Sequence, residues 1–407
     1  MKPEVLQDAL TAHLPATLDS LRQMVGINSF TNHGAGVNAV GQLTSELFAD
    51  LGFAPETVAS VHSGYGRHLF LRRQPGSPGR KPVLLVTHLD TVFPPEEEES
   101  QDFHWRPEPG EGRIYGPGTV DIKGGTALIW LMLQGIRQAD PELFEKTDWL
   151  IAANASEEVM ATDFADRTAE RCPTGARAVL VFEGGPHLDG GWHIVQSRKG
   201  RSVFRIEAEG KAAHAGSAHE NGVNAVIGLA GVLPGVAALT NYAADLTVNV
   251  GHISGGTVIN RVPHHAAAEL EMRAYDPQAL ANAGAAVEAL VRPLQGRDAA
   301  IRVHRLGDSP AWPADEANQA LAEHWVEAAS QLGLKANLVP RGGLSDANYL
   351  CRLGPTLDGL GPSGGNAHCS ERSPDGSKVP EFVEPASFVP KAAMNALALA
   401  RCLASGA

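Results

Sequence analysis

The sequence predicts an α/β domain with helices on both faces of a mixed sheet, interrupted by a smaller α+β domain. Three observations predict it. Short apolar runs of strand length alternate with amphipathic helical runs up to about residue 198, the pattern of a sheet covered by helices. Near residue 199 the runs turn into half-exposed alternations, as in antiparallel strands with one wet face. The first pattern resumes after Pro310. The chain therefore reads as a main domain made of residues 1–198 and 311–407, with residues 199–310 inserted in it.

Residues 5–25 are helical in period, and residues 37–51 form a second amphipathic helix stopped by Gly52. Residues 68–72, 82–87, 149–153 and 178–182 read as strands, and residues 124–138 as a helix. In the insertion, a strand at 201–209 is followed by a helix at 223–239, strands at 246–253 and 266–275, a helix at 277–291 and a strand at 300–306. That order, β-α-β-β-α-β, makes an open sandwich of antiparallel sheet and two helices. A helix at 315–332 opens the last segment. The chain has no internal repeat, and its acidic run at 96–99 is expected to be a solvated loop.

Composition excludes several function classes. With 407 residues, 43% of them hydrophobic, the chain can bury a large core. Its 33 Lys and Arg against 46 Asp and Glu give a net charge of −13, which repels nucleic acid and anionic lipid. Cys172, Cys351, Cys369 and Cys402 have neither disulfide-framework nor metal-finger spacing, and the N-terminus has no apolar leader run. A reducing, cytoplasmic location is expected. Between residues 221 and 260 the only charged side chain is Asp245. The apolar part, 223–239, is shorter than the roughly 20 residues a membrane span needs and contains Pro234. A buried or subunit-interface helix is expected there.

Several acids and histidines follow directly on apolar strand runs, where open α/β sheets place their ligands. His88 and Asp90 come after Val83-Leu84-Leu85-Val86-Thr87, on one side of the extended chain, so Asp90 is expected to hold the His88 imidazole in one tautomer. The Gly-rich turn Tyr115-Gly116-Pro117-Gly118-Thr119-Val120-Asp121 delivers a carboxylate ahead of a helix. It lacks the Gly-Lys-Ser/Thr ending of a phosphate loop. Two further strand runs end in Glu157-Glu158 and in Glu183, and a late Gly-rich loop brings His368. Two imidazoles and three carboxylates suit zinc, and also cobalt or manganese. In a pair of ions about 3.5–4 Å apart, one carboxylate must bridge them, and Glu157 or Glu158 is left over as an unligated base.

In this order, His88-X-Asp90, Gly-Pro-Gly-X-X-Asp121-X-Lys-Gly-Gly, Glu157-Glu158, Glu183 and His368 resemble the di-zinc metallopeptidase and amidohydrolase family. That family includes glutamate carboxypeptidase, aminoacylase, acetylornithine deacetylase, succinyl-diaminopimelate desuccinylase and carnosine dipeptidases, and Gly-Pro-Gly is nearest the glutamate carboxypeptidase branch. The resemblance implies two zinc ions per chain. His88 and Glu183 would hold one, Glu158 and His368 the other, with Asp121 as the bridge, Asp90 behind His88 and Glu157 as general base. It also implies that residues 199–310 form a lid and homodimerisation domain. In that domain Gly210-Lys211-Ala212-Ala213-His214 resembles the segment whose histidine steadies the oxyanion of the partner's site.

By the same likeness, Asn260 and Arg273 contact a substrate carboxylate. Gly343 and Ser345, in the loop Gly342-Gly343-Leu344-Ser345-Asp346-Ala347, lie beside the substrate; Asp346 is equally read as a helix cap. The implied activity is zinc-dependent hydrolysis of an amide bond next to a free carboxylate, in a small molecule or short peptide. Aminoacylase or dipeptidase activity, a single-metal hydrolase and a non-enzymatic metal-binding scaffold are the alternatives. Two features depart from the family pattern. Ser309 stands before Pro310 where glutamate-cleaving relatives carry a basic residue, and Ser373-Pro374-Asp375-Gly376-Ser377-Lys378 lengthens the segment after His368.

Overall fold

The computed structural model of the chain describes residues 1–74, 81–159, 161–291 and 299–404. It consists of two compact units. The first joins Met1–Gln196, Ala314–Pro340 and Ser345–Ala407; the second joins Ser197–Pro313 and Arg341–Leu344.

The first unit is built on a six-stranded sheet in the order Ala54–Ala59, Arg67–Arg73, Trp149–Asn154, Val83–His88, Ala178–Val181 and Thr356–Leu357. The first three strands pair antiparallel and the remainder parallel, so the sheet is mixed. Its central strands Val83–His88, Trp149–Asn154 and Ala178–Val181 are buried along their whole length. That explains why they read as unbroken apolar runs with no alternation. Helix Lys123–Ala139 is buried on every side from Lys123 to Ile136, and packs against Pro3–Val25 and Phe388–Ala404. A helix apolar all round belongs inside a core. Its start is jammed against the sheet. A Cβ on Gly125 would fall 2.2 Å from the Phe182 carbonyl oxygen, and one on Gly124 2.2 Å from that of Thr119. Only glycine permits this approach, and it fixes the turn carrying Asp121 beside the strand end that leads to Glu183.

The second unit is an antiparallel sheet in the order Thr247–Gly255, His265–Ala274, Gly200–Glu209 and Ala300–Ser309. Buried and half-buried residues alternate along Gly200–Glu209, and Phe204, Ile206 and Ala208 face a core shared with helix Pro277–Val291. The β-α-β-β-α-β order holds, with one correction. Residues 223–239 form two short helices, Ala225–Ala230 and Leu233–Ala237. The first is capped by the Asn224 side chain and ends at Gly231, and Pro234 sits in the first turn of the second, where its missing N–H costs nothing. The acidic run is a second correction. Residues 96–99 lie in a short helix, Pro95–Ser100, with proline in its first turn and Glu97 accepting from Ser370 Oγ at 2.5 Å. Acids in a first turn are favoured by the helix dipole. No described helix is long and apolar enough to cross a membrane.

Candidate metal centre

Three neighbouring parallel strands end on one edge of the sheet, and the residues just past their ends converge. His88 closes the middle strand. Beyond Trp149–Asn154, the chain makes the 3₁₀ turn Glu157–Val159. Beyond Ala178–Val181 comes Glu183. Asp121 arrives from the glycine-rich turn, and its peptide bond to Ile122 is cis. His368 sits in the loop before strand Phe382–Val383 at φ 67°, a left-handed conformation costing about 1–3 kcal/mol for a residue with a Cβ. The loop is held in place by Asn366 Nδ2 donating to Val379 O (2.9 Å) and Glu381 N donating to Cys369 O (2.7 Å).

His88 Nδ1 lies 3.0 Å from the carbonyl oxygen of Asp90. This nitrogen therefore donates to that carbonyl, and Nε2 is the ring atom that faces the cluster. Nε2 is 3.0 Å from Asp121 Oδ1 and 3.8 Å from Glu183 Oε1. The other Asp121 oxygen is 3.3 Å from His368 Nε2, which is also 3.1 Å from Glu158 Oε2. One carboxylate thus presents one oxygen to each imidazole. Ligating atoms of His88, Asp121 and Glu158 lie within 4.8 Å of one another.

Burial pushes Glu157 well above the ordinary carboxylate range, helped by Glu183, Asp346 and Glu158, and pushes Glu158 up to about 7, helped by Asp121. Hydrogen bonds to Asp121 and Glu158 raise His368 to about 10. Burial opposes charge on His88, but Asp121, Asp90, Glu183 and Glu157 outweigh it and raise its pKa well above the usual value. A buried acidic cluster of this kind calls for positive charge at its centre. Imidazole nitrogens and carboxylate oxygens are donors suited to divalent zinc, so the residues present fit metal ions.

The family description "Peptidase family M20/M25/M40" matches residues 84–383. The chain belongs to this family. It is 26% identical to carboxypeptidase G2 of Pseudomonas sp. (strain RS-16) over 372 residues, which cover 90% of this chain and 86% of that protein. Over 348 residues it is 27% identical to succinyl-diaminopimelate desuccinylase of Burkholderia multivorans, covering 80% and 86%. The crystal structure of aminopeptidase PepT from Bacillus cereus superposes with a TM-score of 0.74 at 20% identity, covering 98% of this chain and 99% of that one. The family and its glutamate carboxypeptidase branch are those the motifs resemble. As a member of M20/M25/M40, the chain is a metal-dependent hydrolase of the metallopeptidase and amidohydrolase kind.

Against this M20 frame, the other expected site residues separate. Asp90 faces His88 Nδ1 with both its carbonyl oxygen, at 3.0 Å, and its carboxylate Oδ1, at 3.5 Å. The same carboxylate also accepts from Thr31 Oγ1 (2.7 Å), Glu157 N (3.1 Å) and Glu158 N (3.2 Å). Ser345 is buried, and its hydroxyl donates to Asp358 Oδ2 at 2.7 Å, so that side chain stiffens the loop. Asp346 stands at the N-cap of helix Ala347–Leu350, but its carboxylate makes no capping hydrogen bond and accepts from Asn154 Nδ2 at 2.8 Å.

In the second unit, Arg273 turns its guanidinium onto Glu271, at 2.9 and 3.2 Å, and onto Gly342 O at 3.1 Å. Residues i and i+2 of a strand share a face, which brings the two together. Gly343 O accepts from Arg198 Nη1 at 3.0 Å, and Asn260 O from Ala215 N at 3.0 Å. His214 Nδ1 accepts from Gly216 N and Ser217 N, both at 3.1 Å, leaving Nε2–H as an available donor.

Two contributors are missed by the sequence reading. Glu381 is buried, and its Oε1 accepts from Val120 N (2.9 Å) and Asp121 N (3.1 Å), which pins the turn bearing Asp121. A lone glutamate beside Pro380 has no pattern to mark it. His68, also fully buried, accepts from Ala155 N at 3.1 Å and lies 3.1 Å from Asp163 Oδ2.

Burial pushes His68 below its ordinary 6.5 despite the Asp163 carboxylate, so the folded chain keeps it neutral while the unfolded chain takes up a proton below that pH. Its contribution to stability is complete above about pH 6.5 and is lost as pH falls below it, by up to about 1.4 kcal/mol per pH unit. Urea unfolding at pH 7.5 and 5.5 should show wild type losing more stability than His68→Asn; equal losses would remove His68 from the pH dependence.

Proposed function

We propose that this M20 hydrolase cleaves an amide or peptide bond next to a free carboxylate, as a glutamate-carboxypeptidase-like enzyme using two zinc ions. The observation that carries the reading is the Asp121 carboxylate with one oxygen toward His88 and the other toward His368. His88 and Glu183 would hold one ion, Glu158 and His368 the other, and Asp121 both. Cobalt and manganese are acceptable substitutes. When bound, the ions polarise the scissile carbonyl and lower the pKa of water to about 7.

The chain's own residues supply the remainder. Glu157, 8% exposed, takes the proton of the attacking water and returns it to the leaving amine. Asp90, through two backbone N–H groups, sets where Glu157 stands. His214, with Nε2–H as donor, steadies the developing oxyanion. Asn260, Arg273 and the backbone at Gly343 receive the substrate carboxylate, which must compete with Glu271 for the Arg273 fork. Ser345, whose hydroxyl donates to Asp358 Oδ2, anchors its end of the 342–347 loop.

The second unit is proposed as lid and homodimer interface, in a cytoplasmic protein. Strand Thr247–Gly255 is an open sheet edge, and Ile227 (69%), Tyr242 (82%) and Ile259 (101%) are exposed on this unit. Such apolar exposure suits a partner surface. A deacylase is the second reading. Ser309, buried at the end of Ala300–Ser309, offers no cation for a glutamate side chain, and a desuccinylase is among the relatives.

A panel of dipeptides, N-acyl amino acids and glutamate conjugates separates the two substrate readings. Glu157→Gln should keep its metal content and lose about 10²–10⁴ in kcat; full activity would remove Glu157 from the mechanism. His214→Ala chains mixed with Glu157→Gln chains should regain part of the activity each lacks, because hybrid dimers contain one intact composite site. No recovery despite subunit exchange would contradict a shared site.

A further inference from the structure

We propose that His68, oriented by Asp163, is a positioning residue that fixes the Glu157–Glu158 turn by accepting the backbone N–H of Ala155. The proposal rests on the reading of Glu157 as proton carrier. Four successive N–H groups lead into that turn, and each is received by a buried side chain. Ala155 N donates to His68 Nδ1 (3.1 Å), Ser156 N to Asn154 Oδ1 (3.0 Å), Glu157 N to Asp90 Oδ1 (3.1 Å) and Glu158 N to Asp90 Oδ2 (3.2 Å). The segment has left the sheet and is entering the first turn of the 3₁₀ helix Glu157–Val159, whose N–H groups have no partner within it, so side chains must supply the acceptors.

Three of these four acceptor atoms come from residues that border the site, Asp90 and Asn154. His68 comes from the adjacent antiparallel strand, Arg67–Arg73, and is 0% exposed. Because Nδ1 accepts, Nε2 must carry the proton, and Asp163 Oδ2 receives it at 3.1 Å while also accepting from Val61 N at 2.9 Å. The Asp163 contact thus selects the one tautomer that can accept from Ala155. The ring cannot drift. Phe164 packs 5.3 Å from it, with Phe70 stacked on Phe164 at 6.0 Å. Burial keeps the imidazole neutral near pH 7; a protonated ring would set N–H against N–H. His68 reaches the turn through the backbone of Ala155, whose N–H its Nδ1 accepts. A displacement of about 1 Å in a reacting group costs on the order of 10² in rate.

The test uses the full chain loaded with zinc and whichever panel amide the wild type cleaves. His68→Leu removes the acceptor, whereas His68→Asn returns an amide oxygen near the place of Nδ1. In His68→Leu, kcat should fall about 10–100-fold with KM unchanged within about twofold. Zinc affinity, read by competition with a chromophoric chelator, should fall about 10-fold because Glu158 rides on the same turn. His68→Asn should restore kcat to within about threefold. The proposal is overturned if His68→Leu keeps kcat within twofold, or if His68→Asn fails to recover it while melting at the wild-type temperature.

Should His68→Leu fail to fold, Asp163→Ala leaves the ring in place and releases its tautomer. A fall in kcat of about 10-fold at constant KM supports the proposal and an unchanged kcat overturns it. Full activity in Glu157→Gln would defeat the underlying reading whatever His68 does. An inactive Glu157→Gln beside a fully active His68→Leu would defeat the positioning role alone.

Discussion

Asp121, Glu157, Glu158 and Glu183 cannot share a buried pocket unless positive charge lies among them. Desolvation and mutual repulsion push Glu157 and Glu158 up, and two imidazoles relieve only part of that cost. The surrounding structure is arranged to keep the carboxylates close regardless. Glycine at 124 and 125 lets the helix bearing the Asp121 turn press against backbone. Glu381 grips that turn from the far end of the chain, and a left-handed His368 closes the cluster. Backbone strain and buried acids both cost stability, and they are assembled at the strand ends where an α/β sheet offers a site.

The clamps differ from the candidate ligands in kind. Asp90, Asn154 and His68 point their acceptors at backbone N–H groups, whereas His88, Asp121 and His368 point theirs at each other. The first set decides where the second can stand. Asp90 joins the two sets, because its carboxylate receives both N–H groups of the Glu157–Glu158 turn and also stands 3.5 Å from His88 Nδ1.

Much of this was legible in the sequence. Strand runs ending in His88, in Glu157-Glu158 and in Glu183 identify the convergence, because parallel strands that read as unbroken apolar runs must be buried side by side. The turn with Asp121 is legible from its glycines, and the insertion from its change to alternation. Glu381 and His68 were not legible, since their meaning lies in backbone partners about 260 and 87 positions away. The Arg273–Glu271 pairing follows from strand spacing, since residues two apart share a face. The helix at 223–239 failed for a local reason. Gly231 and Pro234 break it, although its apolar content runs on.

The central claim is that Asp121 lies between two metal ions. Diffraction from zinc-loaded crystals at the zinc absorption edge tests it most directly. Two anomalous peaks about 3.5–4 Å apart, one against His88 and Glu183 and the other against Glu158 and His368, with Asp121 touching both, is the expected result. A single peak, or peaks that Asp121 does not join, would contradict it.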